Sequence, residues 1–402
     1  MRPPRQLSQR HRPLDIFWIF LRLGLTSFGG PIAHLGYFRA EFVTRRQWLS
    51  ERSYADLVAL CQFLPGPASS QVGIALGLAR GGYRGALAAW MGFTLPSAVL
   101  LILIATGLTH LGDLLAPGAL HGLKVIAVAV VAQAVWSMAR TLCPDVPRMT
   151  LMLLAAAIAL LLPGVWTQIG VIALAGILGV LLLKPGEPII HEPLDAGISR
   201  RAGCLWLALF GILAVGLPIL AQLVPWKTLA LVDAFYRAGS LVFGGGHVVL
   251  PMLQVEVVPK GWVDNQVFLA GYGAAQAMPG PLFAFAAFLG ASLQGQPTGL
   301  AGGVICLLAI FTPAFLLILG ALPFWASLQR NGRMQTALSG INAAVAGLLL
   351  AALYQPVAVG ALFGLQDIAL AGLALIALMY WKLPPWLVVM GGAVMGGLLG
   401  QR

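Results

Sequence analysis

Charge is scarce throughout this chain. Of its 402 residues 13 are Asp or Glu and 24 are Lys or Arg, so 9% are charged, against about 25% in a soluble globular protein. A large soluble core needs a polar shell, and this composition cannot supply one. The formal net charge of +11 comes from basic residues in short clusters between apolar runs. That is the pattern of cytoplasmic loops, not of a nucleic-acid surface. Cysteine is rare and scattered: Cys61, Cys143, Cys204 and Cys306 form no CxxC pair and read as small packing residues. The neighbours His191-Glu192 lack the second histidine of HExxH, and neither a GxSxG elbow nor a Walker Gly-Lys-Thr is present. No enzyme constellation, metal site, cofactor or nucleic-acid partner is expected.

Apolar residues are abundant, at 59% of the chain with a mean hydropathy of +0.89. Runs of roughly membrane-spanning length recur, as in "LMLLAAAIALLL" (151–162) and "IGVIALAGILGVLLL" (169–183). The chain reads as an all-α polytopic membrane protein with the lipid bilayer as its surroundings. Its basic start, "MRPPRQLSQRHRP", precedes an apolar run that contains Arg22 and has no A-x-A-like cleavage site, so the first segment is read as retained.

A repeat organises the rest. With Phe28 aligned to Phe243, Arg22 matches Arg237, Glu41 matches Glu256, and Trp48 matches Trp262 after a one-residue gap. "QFLPGP" (62–67) then meets "QAMPGP" (276–281), and "FTLP" (93–96) meets "IFTP" (310–313). This divides the chain into halves 1–190 and 229–402, joined by residues 191–228. The joining stretch is a polar linker followed by an apolar segment, 204–224, with no counterpart before the first copy. One extra crossing inverts the second half relative to the first, an arrangement common among secondary transporters.

About thirteen hydrophobic segments result: 16–38, 53–79, 86–110, 119–140, 149–163, 166–183, 204–224, 229–257, 266–293, 299–322, 336–357, 367–381 and 385–400. If all of them span, loop 39–52, with Arg39, Arg45, Arg46 and Arg52, faces outward. If the Gly-Gly and Pro-Gly-Pro segments instead dip in and return as re-entrant half-helices, that loop becomes cytoplasmic, which the positive-inside rule favours. The N-terminus is cytoplasmic in this reading.

Four breaks interrupt these segments: Gly29-Gly30-Pro31, Pro65-Gly66-Pro67, Gly244-Gly245-Gly246 and Pro279-Gly280-Pro281. Opened backbone in hydrocarbon leaves N–H and C=O groups unpaired at several kcal/mol each, so it persists only inside protein or beside water. A half-helix beginning after each break offers free N–H groups and a positive dipole end, an anion site in outline. Phe28 and Phe243 precede the glycines. Arg22 and Arg237 lie within apolar runs, where charges are costly and usually functional. A guanidinium suits a tetrahedral oxyanion, although Asp15 or Asp233 could instead tie these arginines into packing ion pairs. His34 and His247 are wall residues or ligands. Lys124, whose counterpart is Asn342, adds a cation in one half only. Glu41 and Glu256 are either loop charges or proton carriers. Gly392-x3-Gly396-x3-Gly400 is read as a helix-packing face.

These residues resemble the chromate ion transporter (CHR) family in its long two-domain form. The likeness runs from about residue 15 to 400. It rests on the FGGP stretch with His34 and Gly36, "RRQWLSE" (45–51), both PGP motifs and "FGGGHVVLPML" (243–253). The resemblance implies a bacterial inner-membrane exporter of chromate that confers chromate resistance, with two homologous halves of opposite orientation. Composition and spacing alone supply only "anion"; sulfate has the same shape and charge as chromate. Of another class, a membrane-embedded enzyme or an assembly subunit would need a catalytic polar cluster, which is not found. A homodimer is left open.

Overall fold

The computed structural model describes residues 11–28, 30–110, 117–162, 165–184, 197–242, 249–325, 331–383 and 385–399. Among these residues the chain is helical, without strands. The first repeat holds α1 (Pro13–Thr26), α2 (Gly30–Phe38), α3 (Glu51–Phe63), α4 (Ala68–His110), α5 (Pro117–Leu142), α6 (Val146–Leu161) and α7 (Val165–Leu182). The connecting segment is α8 (Arg200–Leu223). The second repeat holds α9 (Lys227–Leu241), α10 (Val249–Val257), α11 (Asn265–Ala277), α12 (Phe285–Ala291), α13 (Gly299–Ala321), α14 (Gly332–Ala352), α15 (Leu365–Met379) and α16 (Pro385–Leu399).

By length and composition, four helical stretches among the described residues could cross a membrane: Ala68–Gly107, Arg200–Leu223, Gly299–Phe324 and Gly332–Gln355. The first is not one straight rod. Gly82 breaks α4 with φ 62° and ψ −157°, and a Cβ on Gly77 would overlap the carbonyl of Gly85 and lie 2.8 Å from the Cβ of Ala89. Residues twelve apart on a straight helix are about 18 Å apart, so the two arms fold back on each other. The expected segments 53–79 and 86–110 thus meet at a glycine hairpin.

The chain forms two compact units, each drawing on both repeats. One comprises Met1–Thr106, Ile189–Gly246 and Met278–Ser327; the other comprises Gly107–Pro188, His247–Ala277 and Leu328–Arg402.

In the first unit the repeat is visible as packing. Gly24 on α1 lies where a Cβ would meet the Phe93 carbonyl of α4 at 2.7 Å. Its counterpart Gly239 on α9 presses in the same way on the Ile310 carbonyl of α13. Phe93 and Ile310 open the aligned "FTLP" and "IFTP" stretches, so one helix crossing has been built twice. Small residues allow such close backbone approach where apolar lipid gives no drive for helix association. Trp90 of α4 meets Phe311 and Phe315 of α13 edge-on, which ties the two crossings together.

The second unit uses the same device. Gly179 and Gly340 join α7 to α14, Gly347 seats α14 on α6, and Gly122 of α5 packs on Gly392 and Gly396 of α16. The last contact makes Gly392 and Gly396 a packing face, as their spacing suggested; Gly400 lies outside the described residues.

Candidate functional site

The first break falls between α1 and α2, at residues 27–29. Gly29 lies outside the described residues; Phe28 is exposed, and Gly30 and Pro31 begin α2. The second break separates α3 from α4 at Pro65, Gly66 and Pro67, with Gly66 at φ +119°. In the second repeat Pro279, Gly280 and Pro281 precede a short 3-10 turn and α12, with Gly280 at φ +94°. Phe243, Gly244, Gly245, Gly246 and His247 lie outside the described residues.

The breaks satisfy one another across the repeats. Gly66 donates its N–H to the carbonyl of Val242, 2.6 Å away, and Gly280 donates to the carbonyl of Ser27 at 2.9 Å. Val242 is the counterpart of Ser27, immediately before each Phe-Gly-Gly. Each Pro-Gly-Pro turn therefore closes a backbone group opened by the other repeat's glycine break. That pairing lets irregular backbone persist in an apolar chain. The left-handed φ of both glycines is open to Gly at little steric cost.

Around the Ser27–Gly280 bond lies a buried polar cluster. One ring nitrogen of His34, Nε2, is 3.2 Å from the Ser27 carbonyl, and Nδ1 is 3.4 Å from Ser69 Oγ. A carbonyl only accepts, so Nε2 carries the hydrogen, and in a neutral ring Nδ1 accepts from Ser69. Phe93 holds the imidazole edge-on at 5.2 Å. A Cβ on Gly280 would stand 2.6 Å from Ser97 Oγ and 3.3 Å from the Phe93 carbonyl, which brings the second arm of α4 into the same cluster.

The first arm of α4 begins here. Its first backbone bond runs from Gln71 N–H to the Pro67 carbonyl, so the N–H groups of Ala68, Ser69 and Ser70 have no partner within the helix. Ser27, Ser70 and Gln71 are 0%, 3% and 0% exposed. Among the described residues Ser27 Oγ, Ser70 Oγ, Gln71 Oε1 and Thr94 Oγ1 have no hydrogen-bond partner, while Gln71 Nε2 donates to the Pro65 carbonyl at 2.7 Å. Leaving such groups dry and unpaired costs about 1–3 kcal/mol each. Free hydroxyls, free N–H groups and a positive helix end together suit an anion with several acceptor oxygens.

The other candidate residues separate. Arg22 lies on the exposed side of α1, away from the face formed by Ile16, Ile19, Phe20, Leu23 and Gly24. Among the described residues no carboxylate pairs with it. Arg237 is buried and paired with Asp233 on α9, N–O 3.2 Å. Lys124 belongs to the second unit.

Glu41 and Glu256 repeat a small motif. Glu41 binds Arg46 at 2.6 Å and Arg45 at 3.1 Å, and Glu256 binds Lys260, the counterpart of Arg45, at 2.8 Å. The Trp48 N–H donates to the Phe42 carbonyl and the Trp262 N–H to Val257, again equivalent residues. Arg80 lies over Trp48 and Lys260 over Trp262. Burial pushes the Glu41 carboxyl up, but its bonds to Arg46 and Arg45 outweigh this and hold it below the ordinary carboxylate value. An acid held ionised in this way favours the loop-charge role.

Ser27, Ser69, Ser70, Gln71 and Thr94 escaped the sequence reading. The available signal was "PASSQ" (67–71), polar residues directly behind a Pro-Gly-Pro turn in an apolar chain. The second repeat has "PLFAF" (281–285) there, so matching one repeat to the other passes over them.

A repeat-built helical bundle, apolar enough for a membrane and broken around a buried polar cluster, defines an integral membrane transporter. The family model described as "Chromate transporter" matches residues 14–180 and again 229–397, one match per repeat. The chain belongs to the chromate transporter family and is a transporter, not an enzyme.

It is 28% identical over 395 residues to a probable chromate transport protein of Synechococcus elongatus, covering 95% of this chain and 94% of that one. It is 26% identical over 387 residues to a chromate transport protein of Cupriavidus metallidurans, covering 94% and 90%. An uncharacterized transporter of Bacillus subtilis, YwrA, is 28% identical over 170 residues, which is 41% of this chain and 93% of that protein; that relative is about the size of one repeat. No solved structure matches.

Proposed function

We propose that this protein carries chromate outward across the bacterial inner membrane and so confers chromate resistance. The N-terminus is cytoplasmic, and the halves 1–190 and 229–402 are inverted about the connecting segment. In this reading the motif segments are re-entrant, with α2 and the first arm of α4 as half-helices that approach the membrane midplane. The substrate, a tetrahedral dianion, is held by Ser27, Ser70 and the first N–H groups of α4, with His34 and Gly280 fixing the Ser27 end. Arg22, on the exposed side of α1 and five residues before Ser27, supplies the charge that draws the dianion in.

The observation that carries this reading is the reciprocal bonding of Gly66 to Val242 and Gly280 to Ser27. It places a buried, donor-rich helix start at the crossing of the two repeats. The energetics of export are favourable: an inside-negative potential of 100 mV contributes about 2.3 kcal/mol per charge, so about 4.6 kcal/mol for a dianion. That sustains a gradient of about 10³, since about 1.4 kcal/mol is tenfold. Alternating access between the halves then requires no further energy source.

The test is uptake of chromate into inside-out vesicles under an imposed potential, with sulfate as competitor. Accumulation by the native protein is expected. Ser27→Ala or Ser70→Ala should raise the half-saturating chromate concentration by about tenfold or more, the loss of a hydrogen bond to a charged group. Native kinetics in the Ser27→Ala/Ser70→Ala double variant would remove the site from this cluster. Full competition by sulfate at equal concentration would make the protein a general oxyanion carrier.

A further inference from the structure

The second unit contains a cavity of about 130 Å³ whose wall includes Lys124, Gln254, Asn265, Leu269 and Val357. It shares no residue with the Ser27–Ser70 cluster. Its size is far above the about 10–15 Å³ that admits one water.

Lys124 sits on α5 directly before Val125, Ile126 and Ala127, all buried. Among the described residues it has neither a carboxylate nor a hydrogen-bond partner. An ammonium group on an apolar helix needs an acceptor. The acids near the cavity in sequence are engaged: Glu256 binds Lys260 at 2.8 Å, Asp264 Oδ1 accepts from the Gln266 N–H at 2.7 Å, and Asp367 binds His121, one turn before Lys124, at 2.7 Å and accepts from the Phe363 and Gly364 N–H groups. Among the described residues lining the cavity there is no acid, and Lys124 is the charged side chain.

Beside Lys124 the polar wall offers a donor, the Asn265 NH2, and an acceptor, the Gln254 Oε1. Gln254 Nε2 donates to Asn265 Oδ1 at 3.2 Å, and that bond turns the Asn265 amide so that its NH2 remains available. On the Val357 side the helix is interrupted: α14 runs into a π-turn over Leu353–Ala358, with Gln355 extended at φ −130° and ψ 117°. Such interruptions are frequent at functional sites.

We propose that this cavity is a second binding site, for a small free oxyanion of the sulfate and chromate class, seated on the Lys124 ammonium and the Asn265 amide. The second repeat carries Asn342 where the first has Lys124, so the repeat does not duplicate this cation.

The experiment is equilibrium dialysis of radiolabelled sulfate against the purified full chain in zwitterionic detergent. Anionic lipid is omitted, so that no phosphate headgroup can occupy the cavity. Lys124→Met is compared with the Ser27→Ala/Ser70→Ala double variant and with Lys124→Arg; Asn265→Leu serves if Lys124→Met does not fold. Two saturable sites are expected in the native protein. Lys124→Met should weaken one by at least about tenfold, Lys124→Arg should retain it, and the serine double variant should weaken the other.

A single site that Lys124→Met removes and the serine variant keeps upholds the cavity and overturns the Ser27–Ser70 assignment. A single site with the opposite response, or native binding in Lys124→Met, overturns the cavity. No sulfate binding at all overturns both.

Discussion

Behind its Pro-Gly-Pro turn the first repeat continues Ala68-Ser69-Ser70-Gln71, while the second continues Leu282-Phe283-Ala284-Phe285. The backbone before that point is closely shared: a left-handed glycine whose N–H is given to the other repeat. After it, one copy starts a long helix with buried hydroxyls lacking partners. The other makes a 3-10 turn and the seven-residue helix α12, buried throughout. The same division holds one element earlier. Arg237 has Asp233 four residues before it, whereas Arg22 has Trp18 there. At this turn the duplicated scaffold has kept its crossing geometry and changed its side chains: the first copy sets two hydroxyls and an amide behind Pro-Gly-Pro, and the second sets leucine, phenylalanine and alanine there.

The arginines offer the largest test. Arg237→Ala leaves the buried Asp233 carboxylate without this guanidinium, and breaking a buried pair in this way costs about 3–5 kcal/mol. Arg22→Ala should change stability by no more than about 0.5 kcal/mol, as at other exposed positions, yet lower chromate flux. Heat- or detergent-induced unfolding of the purified variants, run beside vesicle uptake, separates the two. Equal loss of stability in both would mean that Arg22 is also a packing residue and the contrast is wrong.

The two turn glycines come next. Any L-residue at the φ of Gly66 or Gly280 is strained, a cost of about 1–3 kcal/mol. Gly280→Ala should lie at the upper end, because its Cβ would meet Ser97 Oγ at 2.6 Å and the Phe93 carbonyl at 3.3 Å. Gly66→Ala meets only the end of the Gln71 amide at 3.0 Å and the Ala314 methyl at 3.6 Å, and an amide can move. Unfolding midpoints of the two variants give the order. The reverse order would mean that the Gln71 side is the tighter wall.

The breaks were legible because glycine and proline act locally. Gly30 and Pro31 begin α2, the two Pro-Gly-Pro turns interrupt the helices on either side of them, and Gly82 turns α4 between two expected segments. The partners were not legible. Val242 and Ser27 contribute backbone carbonyls, and no side-chain pattern marks a carbonyl that will be needed elsewhere. The side of α1 on which Arg22 lies was not legible either, because α1 is apolar on several sides, with Leu14, Trp18 and Leu25 exposed. Periodicity alone could not tell which side meets the core. Ser69 and Ser70 were hidden by the repeat itself, since their counterparts are Phe283 and Ala284.

The smallest effect concerns the loop that follows α2. Glu41 is held below the ordinary carboxylate value of 4.5, burial being outweighed by Arg46 and Arg45. A carboxyl whose folded value is depressed contributes stability above its unfolded value and loses it as pH falls through the folded one. Unfolding measured from pH 7 downward should therefore show a decline that begins near pH 4.5 and continues below it. In Glu41→Gln that part of the decline should be absent, and stability at pH 7 should be slightly lower. Chromate uptake by Glu41→Gln at neutral pH should match the native protein, because a group that stays ionised there carries no proton. A loss of pH-dependent uptake in this variant, with its folding intact, would return Glu41 to the role of proton carrier and make the Glu41–Arg46 pair the first step of a coupled mechanism.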